Sequence, residues 1–142
     1  MMRRHSILLL SLLFVGACHD APTSPSTTTT TSTMSNVVFQ GTLDHDESRF
    51  YSFSLSTTGT VSVNLASLNL VGHREALGVP VRVGVGVPQG EGCADSESIE
   101  MTPALVSQMS TTSLGTGIHC VSITDVGQLP GPTTFLIRFT YP

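Results

Sequence analysis

Residues 79–88 read VPVRVGVGVP. Val79, Val81, Val83, Val85 and Val87 occupy every second position, with Pro80, Arg82, Gly84, Gly86 and Pro88 between them. A period of two is that of a β-strand, whose successive side chains point to opposite faces. The stretch therefore predicts a strand with five valines on one face. A glycine inside a strand marks a bend or the close approach of another backbone.

Neighbouring stretches repeat the alternation. Val37-Val38-Phe39 is a short apolar run ending at Gly41. In RFYSFSL (49–55), Tyr51, Phe53 and Leu55 share one face and Ser52 and Ser54 the other. After Thr57-Thr58-Gly59, Val61, Val63 and Leu65 alternate with Ser62 and Asn64, so the two runs read as a β-hairpin. Ile118 to Thr124 and Thr133 to Tyr141 are two further strands, the second with Phe135, Ile137, Phe139 and Tyr141 on one face. In Met101 to Thr112, Leu105-Val106 and Met109 fit a short strand or one helical turn, and a strand is the preferred reading. No helical period and one apolar face per strand imply an all-β fold with two sheets packed face to face. The expectation is a single antiparallel β-sandwich, jelly-roll-like, of about seven to eight strands over residues 36–142.

Residues 1–17 have the three parts of a secretory signal peptide: Arg3 and Arg4, the apolar run Ile7 to Val15, and small Gly16-Ala17. The run is about half the roughly 20 residues a membrane-spanning helix needs. Val15-Gly16-Ala17-Cys18 resembles a bacterial lipobox, which makes Cys18 the lipidation site and the membrane a partner through that anchor. His19 stands where an Asp would mark retention at a Gram-negative inner membrane, so the expected place is the cell envelope, at the outer membrane in a Gram-negative cell. Residues 18–35 form the acylated cysteine and a linker. In 21–35, eleven of fifteen residues are Ser or Thr and two are Pro, which leaves no face to bury and predicts a disordered tether.

Of the 142 residues only 11% are charged and 39% are hydrophobic, which excludes a charge-driven disordered chain. There is no Lys, and with Arg3 and Arg4 set aside four arginines face ten acids. That balance excludes a nucleic-acid partner and a polybasic membrane patch. With Cys18 lipidated, Cys93 and Cys120 remain as an even pair in an exported chain, where a disulfide is favoured. They lie 27 positions apart without a CxxC partner, which counts against a metal pair.

Three stretches together resemble the bacterial pre-peptidase C-terminal domain. They are Gly41-Thr42-Leu43 with Ser48 to Leu55, Gly59 to Leu65, and Gly115 to Ile123 followed by Gly131 to Phe139. The sequence departs from the family at Ile118-His119, where a Tyr is usual, and at Val79-Pro80-Val81, where an Asp-x-Asp-Leu stretch is usual. The resemblance implies a β-sandwich module that accompanies catalysis without performing it. Some related modules bind collagen or carbohydrate and hold calcium.

Asp44-His45-Asp46-Glu47 is the densest charge cluster. Asp44, Asp46 and Glu47 would offer oxygen ligands to calcium, the one cofactor considered, but without the spacing of an EF-hand loop. A solvated turn is the preferred reading. Asp95, Glu97 and Glu100 fit a soluble loop or edge strand, and His119, in phase with Val121 and Ile123, fits a packed histidine. There is no G-x-S-x-G elbow, and Gly84-x-Gly86 lies in a strand with no helix after it, so neither a hydrolase nor a nucleotide site is supported. The expected function is a non-catalytic, membrane-anchored binding module for a glycan or an envelope protein. A structural part of an envelope complex is the alternative, and a small hydrolase has least support.

Overall fold

A computed structural model describes residues 34–142. The signal peptide, Cys18 and nearly all of the tether lie outside the described residues. Eight strands follow: β1 (Ser35–Leu43), β2 (Ser48–Leu55), β3 (Gly59–Leu70), β4 (Val81–Gln89), β5 (Gly92–Met101), β6 (Met109–Leu114), β7 (Gly117–Asp125) and β8 (Thr133–Tyr141). They form two antiparallel four-stranded sheets, ordered β1-β8-β3-β6 and β2-β7-β4-β5. This is the jelly-roll strand order, and most connections cross from one sheet to the other.

The alternation seen in the sequence builds the core. Val81, Val83 and Val85 are fully buried and face Val61, Val63 and Leu65 of the other sheet within one apolar cluster. Phe53 of β2 joins the sheets, its ring centroid 4.8 Å from that of Phe139 and 5.3 Å from that of Tyr141, while Phe39 stacks on Phe139 within the first sheet at 4.7 Å. The register of β3 against β8 shifts between Leu65 and Ser67. The extra residue lets Leu65 and Leu68, three apart, both reach the core.

Three expectations are corrected. β2 and β3 are not a hairpin: β2 pairs with β7, and β3 with β8 and β6. Two-residue hairpins need positive φ in the turn, and residues 56–59 have none. The hairpin is β4–β5, where Gln89 pairs with Gly92 and Gly90 has φ 59°, at the position a type II′ turn reserves for glycine. Next, 101–112 is not one strand. Met101 ends β5, residues 102–108 are irregular and β6 begins at Met109. Pro103 supplies no ladder donor, and two isolated backbone bonds together with side chains hold this loop. Lastly, Val79 precedes β4, and Val87 stays 51% exposed because β7 pairs with β4 only as far as Gly86.

Candidate functional site

The acidic turn sits between β1 and β2. It closes on itself: the Asp44 amide donates to Glu47 Oε2 (2.8 Å) and the Glu47 amide to the Asp44 carbonyl (3.2 Å). Asp46 takes φ 58°. The turn is fastened from outside by Asp125 at the end of β7, whose side chain is fully buried. Asp125 Oδ1 accepts from the amides of Gln128 (3.0 Å) and Leu129 (3.1 Å), and Oδ2 accepts from the Asp46 amide (3.0 Å). His45 Nδ1 lies 3.2 Å from Asp125 Oδ2 and 3.0 Å from the Leu129 carbonyl, two acceptors that place a hydrogen on that nitrogen. Burial pushes the Asp125 carboxyl up, but the three amides and the neighbouring His45 outweigh it and leave the group below its usual value.

Among the described residues, His45, Asp46 and Asp125 are the potential metal donors that come within 4.8 Å of one another. The Asp44, Asp46 and Glu47 set is not gathered in that way. Glu47 Oε1 is paired with Arg49 at 2.7 Å, and its other oxygen holds the turn. Asp125 already accepts from three amides, with His45 Nδ1 3.2 Å away. Calcium takes 6–8 oxygen ligands, and these residues do not fit it. The cluster is a clamp joining the β1–β2 turn to the β7–β8 loop. Asp125 escaped the sequence reading, although Asp125-Val126-Gly127, with Gly127 at φ 78°, carries the Asp-then-Gly signal of a turn.

A second feature lies on the outer face of the first sheet. Of the residues in β1, β3, β6 and β8, Arg138 alone is charged. Its register neighbours are Val38 on β1 and Asn64 on β3; the next row outward is Asn36, Thr140 and Ser62. These six residues, with Leu105 and Ser107, line a cavity of about 420 Å³. A separate cavity of about 420 Å³ lies further along the same strands over Gln40, Thr42, Ser67, Thr134 and Leu136. Among the described residues Arg49 and Arg82 pair with Glu47 and Glu100, whereas no carboxylate pairs with Arg138.

The loop 102–108 forms one wall. Asn64 Nδ2 donates to the carbonyls of Ala104 (2.8 Å) and Val106, and Gln108 Oε1 accepts from the Leu65 amide (3.0 Å). The amides of Ala104 and Gln108 add bonds to the Leu65 and Val63 carbonyls, both 3.0 Å. A loop this firmly held still displays Leu105 at 100% exposure and Val106 at 70%. Arg138 was legible as an outward residue between inward Ile137 and Phe139, but not as the lone charge of a whole sheet.

Cys93 and Cys120 form a disulfide. Beside it, Ser122 Oγ donates to the Asp95 carboxylate at 2.9 Å. Both bonds draw β5 over the outer side of β4 and β7. Gly84 and Gly86 permit this: a Cβ on Gly84 would collide with the Asp95 carboxylate, and one on Gly86 with the Ala94 carbonyl. His119 is buried on the core side with Phe53, its Nε2 at 2.8 Å from the Gly115 carbonyl. Compared with known proteins, the chain matches no protein-family model and no curated protein.

Proposed function

We propose that this chain is a lipid-anchored, non-catalytic binding module of the cell envelope, whose ligand lies on the outer face of the β1-β8-β3-β6 sheet. The carrying observation is the open cavity over Arg138, on the outer face of a sheet without an acidic residue, walled by a pinned loop. The charged cluster at the other candidate site is consumed by the fold: Asp125 spends its oxygens on backbone amides. The lipobox at Cys18 and the Ser/Thr-rich tether support attachment to a membrane with freedom to reach a ligand.

The test uses the full chain. Cys18→Ser should move the protein from the membrane to the soluble fraction. The wild type should bind isolated cell-envelope material saturably, and Asn36→Trp, an exposed substitution that fills the cavity, should weaken binding at least tenfold. Binding unchanged by Asn36→Trp, or no saturable binding, would sink the reading. The exposed Leu105 and Val106 favour a second reading, a component of an envelope complex. That reading expects one fixed co-purifying partner, lost with Leu105→Asp and retained with Asn36→Trp.

A further inference from the structure

We infer that β1 is a dimerisation edge: two copies of this chain pair their β1 strands antiparallel about a two-fold axis at Val38, which joins their first sheets into one continuous sheet of eight strands. Among the described residues β1 pairs with β8 alone, over nine residues and without a register shift. An unpaired strand edge is a template for another strand unless a charge, a proline, a bulge or shortness prevents it. The other three edge strands are protected in these ways. β6 has six residues and a shifted register, β2 carries Arg49, and β5 carries Asp95, Glu97 and Glu100 with a shifted register. Ser35 to Leu43 carries no such protection.

The ladder shows which main-chain groups are open. Just beyond the paired ends of β3 and β8, the Val71 amide donates to the Pro132 carbonyl at 2.9 Å. Main-chain groups alternate sides along a strand, so Thr134, Leu136, Arg138 and Thr140 turn theirs to β3. Their opposites on β1, which are Thr42, Gln40, Val38 and Asn36, therefore turn theirs away from β8 to the open side. The Tyr51 hydroxyl, from the other sheet, donates to the Gln40 carbonyl at 2.9 Å in agreement with this. A carbonyl has two lone pairs, so that oxygen can still take a ladder bond.

The strand complements itself. With Val38 opposite its own copy, Asn36 faces Gln40, Val37 faces Phe39 and Ser35 faces Gly41. Each outward amide meets an amide, and each inward valine meets an aromatic ring, a favourable cross-strand pair. Val37 and Phe39 are only partly buried, whereas Leu65 and Ile137 on the inner strands are fully buried. A second copy covers the side that β1 leaves open, and Val38, 50% exposed, lies at the axis. A register centred on Gln40 would instead crowd two Tyr51 side chains at the axis and set the fully buried Leu43 opposite Val37.

The charges are compatible with this pairing. β1 has none, and the acidic turn after it, Asp44 to Glu47, is carried about 40 Å from its copy by the antiparallel register. The two Arg138 side chains, three strand spacings apart, stand about 14 Å from each other, beyond the screening length of about 8 Å.

The experiment is sedimentation equilibrium of the full chain carrying Cys18→Ser, in density-matched detergent. The mass should rise twofold with concentration and then level. Val38→Lys sets two ammonium groups against each other at the axis, and Val38→Glu sets two carboxylates there while giving Arg138 a neighbour within its own copy. Each should weaken dimerisation at least tenfold, about 1.4 kcal/mol. Ser110→Lys, on the exposed side of β6 at the far edge, should change nothing. Circular dichroism should be unchanged in all three. In the same background the Cys93–Cys120 bridge leaves an added thiol alone. Val38→Cys should cross-link to a dimer on mild oxidation, and Thr42→Cys, whose two copies lie about 27 Å apart, should not. A monomer at every concentration, as when the tether or another protein takes the edge, would overturn the inference. So would a mass rising beyond twofold, dimerisation indifferent to both Val38 variants or lost with Ser110→Lys, or equal cross-linking from the two cysteine variants.

Discussion

Asp125 shows how much one buried carboxylate organises. It terminates β7, accepts from three backbone amides and meets His45, and so ties two loops whose anchoring residues, Asp46 and Asp125, are 79 positions apart. Replacing it with Ala leaves three amides without an acceptor, at about 1–3 kcal/mol for a buried donor left unpaired. Asp125→Ala should therefore cost about 2–4 kcal/mol in urea unfolding, with the loss shared among the amides. Its pH dependence has a definite sign. The folded carboxyl titrates below its usual 3.8, so its contribution is complete above that value and is lost as pH falls through the lower folded value. Asp125→Asn should flatten the acid limb of stability below about pH 4 while lowering stability at neutral pH. An acid limb as steep as that of the wild type would show that the carboxylate is not the clamp.

At the scale of elements, the β4–β5 hairpin carries the constraint that glycine meets. Gly86 sits under main chain, the Ala94 carbonyl, while Gly84 sits under a side chain, the Asp95 carboxylate. A carboxylate can rotate away at the loss of its bond to Ser122; a carbonyl in a paired strand cannot move without its ladder. Gly86→Ala should thus be the worse of the two, by about 1–2 kcal/mol, with Gly84→Ala costing about 1–3 kcal/mol as overpacking does. Equal melting temperatures would contradict the order. The Cys93–Cys120 bridge closes a loop across 27 positions, and by chain entropy Cys93→Ser with Cys120→Ser should cost about 3–4 kcal/mol. Elements were the most legible level of the sequence. Thr133 to Tyr141 falls on β8 without a shift, and the valine alternation marks β4. Pairing was not legible, because Thr57-Thr58-Gly59 looks the same whether the chain turns back in its own sheet or crosses to the other. The clamp was hidden for a related reason: nothing local to Asp46 announces a partner at Asp125.

For the whole molecule, that non-local pairing sets how the chain folds. β1 pairs with β8, Ser35 opposite Tyr141, and β2 pairs with β7, Ser48 opposite Thr124. The tight β4–β5 hairpin is the local exception. Each long-range pair requires loop closure before its contacts form, which places such sandwiches among the slow two-state folders, in milliseconds to seconds. The disulfide changes the starting ensemble, since it holds the β4–β5 hairpin near β7 even in the unfolded chain. Stopped-flow refolding of the oxidised protein, followed by far-ultraviolet circular dichroism because the sequence has no Trp, should fall in that range. The doubly Ser-substituted chain should refold more slowly if the β4–β7 pairing belongs to the nucleus. If that pairing forms later, only its unfolding should quicken, because stability is partitioned between the two rates by what the transition state already contains. Refolding of the oxidised chain within about 100 microseconds would be incompatible with a sheet order that pairs the first described strand with the last.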